Sequence, residues 1–165
     1  MGFDDLPDDW SDRPLTDPQL LADVLDLVVM ERDRRAGALG VLICDGHRRL
    51  ALPVMISDLD ELAGDDDRRK GLETIAMAVR GFDLGDAGGT GRPGIHLDIA
   101  RRDGLSITRS DRSWQRAARS VCGDDIDLLG VHVVTCDGSR TMPPVGVGAD
   151  RSGRPDEPPP LADAS

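Results

Sequence analysis

The stretch Gly94-Ile-His-Leu-Asp-Ile-Ala-Arg-Arg-Asp-Gly-Leu-Ser-Ile-Thr-Arg-Ser-Asp-Arg-Ser-Trp114 decides the fold. Its first seven residues alternate. Ile95, Leu97 and Ile99 face one way, and His96, Asp98 and Ala100 the other, which is the two-residue period of a strand. After a polar loop, Thr108 is placed to cap a helix with Asp111 at its third position. Trp114, Ala117, Ala118 and Val121 then recur at helical spacing, so the helix runs on to about Gly123. The apolar run Leu128–Val134 follows. It is apolar on both faces apart from His132, which predicts a central strand. Strand, helix and strand together predict a crossover between parallel strands.

Upstream, Leu39–Cys44 ends in Asp45-Gly46, a strong turn signal, and Leu50–Ile56 alternates, so the two read as a β-hairpin. Pro53 places the second hairpin strand at an edge. Leu72, Ile75, Ala76 and Val79 form the stripe of an amphipathic helix. Ser57-Asp-Leu-Asp60 has the spacing of a helix cap. Near the start, Asp17 is an N-cap with Pro18 at the first helical position. Arg32, Arg34 and Arg35 sit in a last turn before Gly37, which predicts one helix over 17–35. Its Leu20, Leu21, Val24, Leu25, Leu27, Val28 and Val29 cover more than one stripe. Such a helix is buried on two sides, or on one side and against a second subunit on the other. The expected fold class is α/β: a mixed sheet with a β-hairpin followed by a strand–helix–strand unit, helices packed on the sheet, in a single domain.

At 165 residues the chain is one domain long. The expected organisation is an acidic disordered arm over 1–16, the α/β domain over 17–148 and a Pro-rich disordered tail over 149–165. Aromatic residues are only 2% of the chain, so the core must be aliphatic. The net charge of −11 repels nucleic acid and anionic membranes, so neither is an expected partner. The longest apolar run is far short of a membrane span. Cys44, Cys122 and Cys136 have no metal-binding spacing, and no secretion signal opens the chain, which points to reduced thiols in a cytoplasmic protein. Gly89-Thr-Gly91-Arg-Pro-Gly94 matches a nucleotide-binding string, but it precedes a strand instead of following one, so no nucleotide is expected there.

Two groups of residues carry candidate chemistry. His96, Asp98, Asp111 and His132 are the right types for a zinc site. Asp111 is also explained as half of a helix cap, and His96 and Asp98 as the polar face of a half-buried strand. Arg109, Arg112, Arg116 and Arg119 form a stripe opposite the core face of their helix, with Arg101 and Arg102 near its start. Such a face can bind a phosphate, an acidic protein or the chain's own acidic arm.

The helix opening Ile107-Thr108-Arg109-Ser110-Asp111 and the stretch Leu128-Leu-Gly-Val-His132-Val-Val-Thr-Cys-Asp-Gly138 resemble parts of the MPN/JAB domain, particularly its RadC-like branch. The hairpin residues 41–46 are similar to the family's first strands. The likeness covers roughly residues 39–138. In that family a strand ends in two histidines spaced H-x-H, and an Asp at the helix opening completes a zinc site. Aligned without gaps, those histidines fall on Asp98 and Ala100; a two-residue insertion brings His96 and Asp98 there instead. The resemblance therefore implies a non-catalytic relative, an interaction or regulatory module without a cofactor. Its partner would be a protein, or a second copy pairing through the helix over 17–35 or the hairpin edge. A zinc-dependent hydrolase with rearranged ligands is the alternative activity, and a Roadblock-like dimer module the alternative fold.

Overall fold

A computed structural model of the protein describes residues 6–57, 64–82 and 91–144. Five strands form one mixed sheet in the order β2-β1-β3-β4-β5. They are β1 (Ala38–Cys44), β2 (Leu50–Ser57), β3 (Gly94–Ala100), β4 (Asp127–Thr135) and β5 (Gly138–Thr141). Strand β1 pairs antiparallel with β2 and with β3, β3 pairs parallel with β4, and β4 pairs antiparallel with β5. The hairpin and the strand–helix–strand unit thus stand where the residue pattern puts them. Pro53 lies in β2, an edge strand, where its missing N–H costs no ladder bond. The other edge is β5. The turn at Asp137-Gly138 folds the chain straight back, with Gly138 at φ +121.

Both faces of the sheet are covered. One face carries α3 (Asp65–Gly81) and α4 (Arg109–Val121). There Leu39, Val41 and Ile43 of β1, Ile95, Leu97 and Ile99 of β3, and Val131 and Val133 of β4 pack with Leu72, Ala76, Val79, Trp114 and Ala118. The other face carries α1 (Pro18–Val28), whose Leu20, Leu21, Val24 and Leu25 cluster with Ala38, Leu42, Cys44, Ala100 and Val134. A strand sandwiched in this way is buried at every position, and all of β3 is buried. The side chains of His96 and Asp98 are therefore not the polar face of a half-buried strand; they lie under α1.

The first helix differs from its expectation. Instead of one helix over 17–35 there are two, α1 and α2 (Glu31–Ala36), broken at Val29 and Met30. The reason is local competition for the backbone. Asp33 accepts a hydrogen bond from Met30 N at 3.2 Å and restarts the helix there. Arg34 fills the break, donating to Val29 O at 3.1 Å, to Asp26 Oδ1 at 2.7 Å and to Thr135 O at 3.0 Å. Leu27 and Val28, on the second apolar side of α1, are half-buried, and Met30 is exposed.

Within residues 6–16, three apolar side chains touch the domain while most of the polar ones are exposed. Leu15 is only 2% exposed and donates its N–H to Arg48 O at 2.8 Å. Leu6 and Trp10 pack against the α1 cluster. Leu6, Trp10 and Leu15 thus lie beside α1 and the hairpin, on the side of the sheet away from α4. The cap expected from Ser57 to Asp60, most of the Gly-rich loop before Gly91, and the tail from 149 lie outside the described residues. No helix among the described residues is long and apolar enough to cross a membrane.

Candidate functional site

The register of the sheet builds a polar row beneath α1. Gly40 of β1 stands beside Asp98 of β3, Asp98 beside His132 of β4, and His132 beside Thr141 of β5. One step along, His96 stands beside Gly130. His132 reaches across to His96, with His96 Nδ1 and His132 Nε2 at 3.0 Å. At its other end, His132 Nδ1 lies 3.1 Å from Thr141 Oγ1. Gly130 makes this contact possible: a Cβ there would lie 2.7 Å from His132 Nε2 and 3.3 Å from His96 Nδ1. Gly40 gives similar room to Asp98, since a Cβ at Gly40 would lie 3.2 Å from Asp98 Oδ2.

Electrostatics follow from burial. Loss of water depresses the His96 imidazole to about 3, with the neighbouring His132 ring acting in the same direction. Burial brings His132 down to about 4. The Asp98 carboxyl is held well above its ordinary range by complete burial. Near neutral pH the two imidazoles are therefore neutral, and burial shifts the Asp98 carboxyl toward its protonated form. The imidazole contact is one N–H donating to one bare nitrogen, and either ring can be the donor. Three polar atoms of the row have no partner: His96 Nε2 and both carboxyl oxygens of Asp98. A cavity of about 310 Å³ opens over the pair, between the start of α1 and the β4–β5 edge.

Asp111 does not join this row. It sits on α4, on the opposite face of the sheet, where its carboxylate accepts from Thr108 N at 2.7 Å and its own N–H donates to Thr108 Oγ1 at 3.2 Å. Arg101 closes over it, with Arg101 Nη2 at 3.1 Å from Asp111 Oδ2. The four residues proposed from sequence as zinc ligands thus split into a histidine pair with a neighbouring acid on one face and a capping carboxylate on the other. Among the described residues no three of His, Cys, Asp and Glu are grouped to hold a metal ion.

The Arg group also divides. Arg101 is folded inward, donating to Asp111 and to Ser106 O at 2.6 Å. Arg112 is half-buried and donates to Gln115 Oε1 at 3.2 Å. Arg102, Arg109, Arg116 and Arg119 are exposed, and Arg116 reaches Asp65 at 3.5 Å. The outer face of α4 remains a cationic strip whose inner face holds Trp114, Ala117, Ala118 and Val121 in the core. Beneath it, Arg68 of α3 stacks 5.3 Å from the Trp114 ring and donates to Ser110 Oγ at 3.2 Å.

The cysteines divide three ways: Cys44 is buried, with burial pushing its thiol up to about 12; Cys122 is half-buried and raised to about 11; and Cys136 is exposed. Sequence reasoning named both histidines but missed Gly130, Gly40 and Thr141. One signal was present: a glycine inside an apolar strand, two residues before a histidine, marks a place where something approaches the backbone closely. Compared with models of protein families, with curated proteins and with solved structures, the chain finds no match in any of the three.

Proposed function

We propose that the chain is a non-catalytic cytoplasmic interaction module, a degenerate relative of the MPN/JAB domain. On this reading it engages an acidic segment of a protein partner through the outer face of α4. The observation that carries the reading is the cationic strip of Arg109, Arg116 and Arg119, exposed on a chain whose net charge is −11. Guanidinium groups in a row suit carboxylates, and a local positive strip on an acidic molecule orients an acidic partner toward that strip. The helix beneath is capped and packed on the core, so its backbone is already ordered and binding orders only the Arg side chains. The placement of Asp111 supports the non-catalytic part. Its carboxylate is consumed by Thr108 and Arg101, where the resembled family would use it on zinc.

The test is fluorescence anisotropy of a labelled oligo-glutamate peptide at low salt. Binding that weakens as salt rises, and falls at least tenfold in Arg109→Glu/Arg119→Glu at an unchanged melting temperature, is expected. Equal binding by the parent and the double variant would overturn the reading.

A further inference from the structure

We propose that the groove at the break between α1 and α2 docks a basic segment of a partner protein, an apolar side chain flanked by lysine or arginine. The groove shares no residue with the α4 strip and takes a partner of the opposite charge. It therefore goes beyond the reading above and stands or falls separately.

Shape is the first argument. Helix α1 stops at Val28 and α2 begins at Glu31, which leaves Val29 and Met30 extended between them. The β4–β5 turn forms the other wall, and the space measures about 650 Å³, well within the range of binding sites. Leu27, Val29 and Met30 give it an apolar side. Leu27 is half-buried and Met30 is 53% exposed. An exposed methionine is a flexible apolar surface that adapts to anchors of different shape.

Hydrogen bonding narrows the choice. Val29 N–H donates to Leu25 O, and Val29 O accepts from Arg34 Nε. Met30 N–H donates to the Asp33 carboxylate, and Met30 O accepts from Asp33 N. Each backbone group at the break thus has a partner, so an added strand would find no ladder to join. Apolar contact and charge are what the groove offers.

Charge selects the occupant. Asp26, Glu31 and Asp137 line the groove with a single cation, Arg34. Arg34 is held by Asp26 at 2.7 Å, so its charge is met within the wall. Glu31 and Asp137 are exposed. Arg35 reaches Glu31, but an exposed pair of that kind is worth little and yields to a competing cation. The net charge of −11 adds a field that draws cations in. An acidic segment is repelled, and a second copy brings the same net charge. A neutral apolar segment would leave both exposed carboxylates unmatched. The occupant that meets wall and rim together is an apolar anchor with lysine or arginine beside it.

The test uses the full chain and three labelled pentapeptides: four lysines around a phenylalanine, four lysines around a serine, and four glutamates around a phenylalanine. Binding is read by anisotropy and by the alkylation rate of Cys136, an exposed thiol lining the groove. The lysine–phenylalanine peptide is expected to bind at one site and to slow alkylation severalfold. The other two are expected to bind at least tenfold more weakly. Glu31→Gln/Asp137→Asn and, separately, Met30→Ser are each expected to lower its affinity severalfold at an unchanged melting temperature. Arg109→Glu/Arg119→Glu is expected not to weaken it. Equal binding of the lysine–serine peptide would overturn the proposal, because overall charge alone would then hold the peptide. So would unchanged affinity in either groove variant, absence of binding to the folded parent chain, or an unprotected Cys136. A sedimentation mass of two chains that falls to one in Met30→Ser would also overturn it, by making the groove a contact between copies.

Discussion

Asp98 is placed at a cost to the fold. Its carboxyl is wholly buried, neither oxygen has a partner, and it stays protonated where an unfolded chain would ionise. The sign of the resulting pH dependence follows directly. Above the ordinary carboxyl value of 3.8 the folded state holds a proton that the unfolded state releases, so this group's contribution to stability is lost as pH rises. The histidines act oppositely. Below 6.5 the unfolded chain gains protons that the buried rings refuse until about 3 to 4, so their contribution is lost on acidification. Asp98→Asn keeps the shape and removes the titration. Urea unfolding is expected to show the variant gaining stability over the parent at pH 8 and not at pH 4. An equal difference at both values would mean that Asp98 is not held neutral.

Among the elements, the break between α1 and α2 shows what local pattern leaves out. The apolar and basic residues of 17–35 read as one helix because each half is helical. Nothing nearby announces that Arg34 bonds Thr135 O, a hundred positions away, or that Asp33 restarts the helix at Met30. Arg34→Met retains length and apolar bulk but strands those carbonyls. It is expected to cost about 1–3 kcal/mol in chemical unfolding, with the helix content of the folded state unchanged. A neutral substitution would show that the break is held by packing alone. By contrast, β3, the Thr108–Asp111 cap and the core stripe of α4 were legible to the residue, because strand alternation and capping are short-range. The contacts made within 6–16 were not. Leu6, Trp10 and Leu15 are isolated apolar residues in an acidic run, and their contacts with the α1 cluster are not encoded in any local pattern.

For the whole molecule, the governing fact is that both faces of the sheet are covered. Alternation along β3 showed that His96 and Asp98 share a side, but not which helix lies over it. The loop after β3 carries the chain to the α4 layer, so Asp111, close in sequence, ends on the far face. The contact between His96 and His132 needed the parallel register of β3 and β4, which no local pattern encodes. The molecule that results has a neutral histidine pair under α1 and a cationic strip on α4, with the sheet between them. The measurement that tests this account most directly is long-range proton–nitrogen NMR of the imidazole rings between pH 5.5 and 8, repeated with one equivalent of zinc. The account predicts that His96 and His132 keep the nitrogen shifts of neutral tautomers throughout and ignore the metal. Titration of either ring with a midpoint near 6.5, or a stoichiometric zinc-induced shift of both, would contradict it and restore the metal centre.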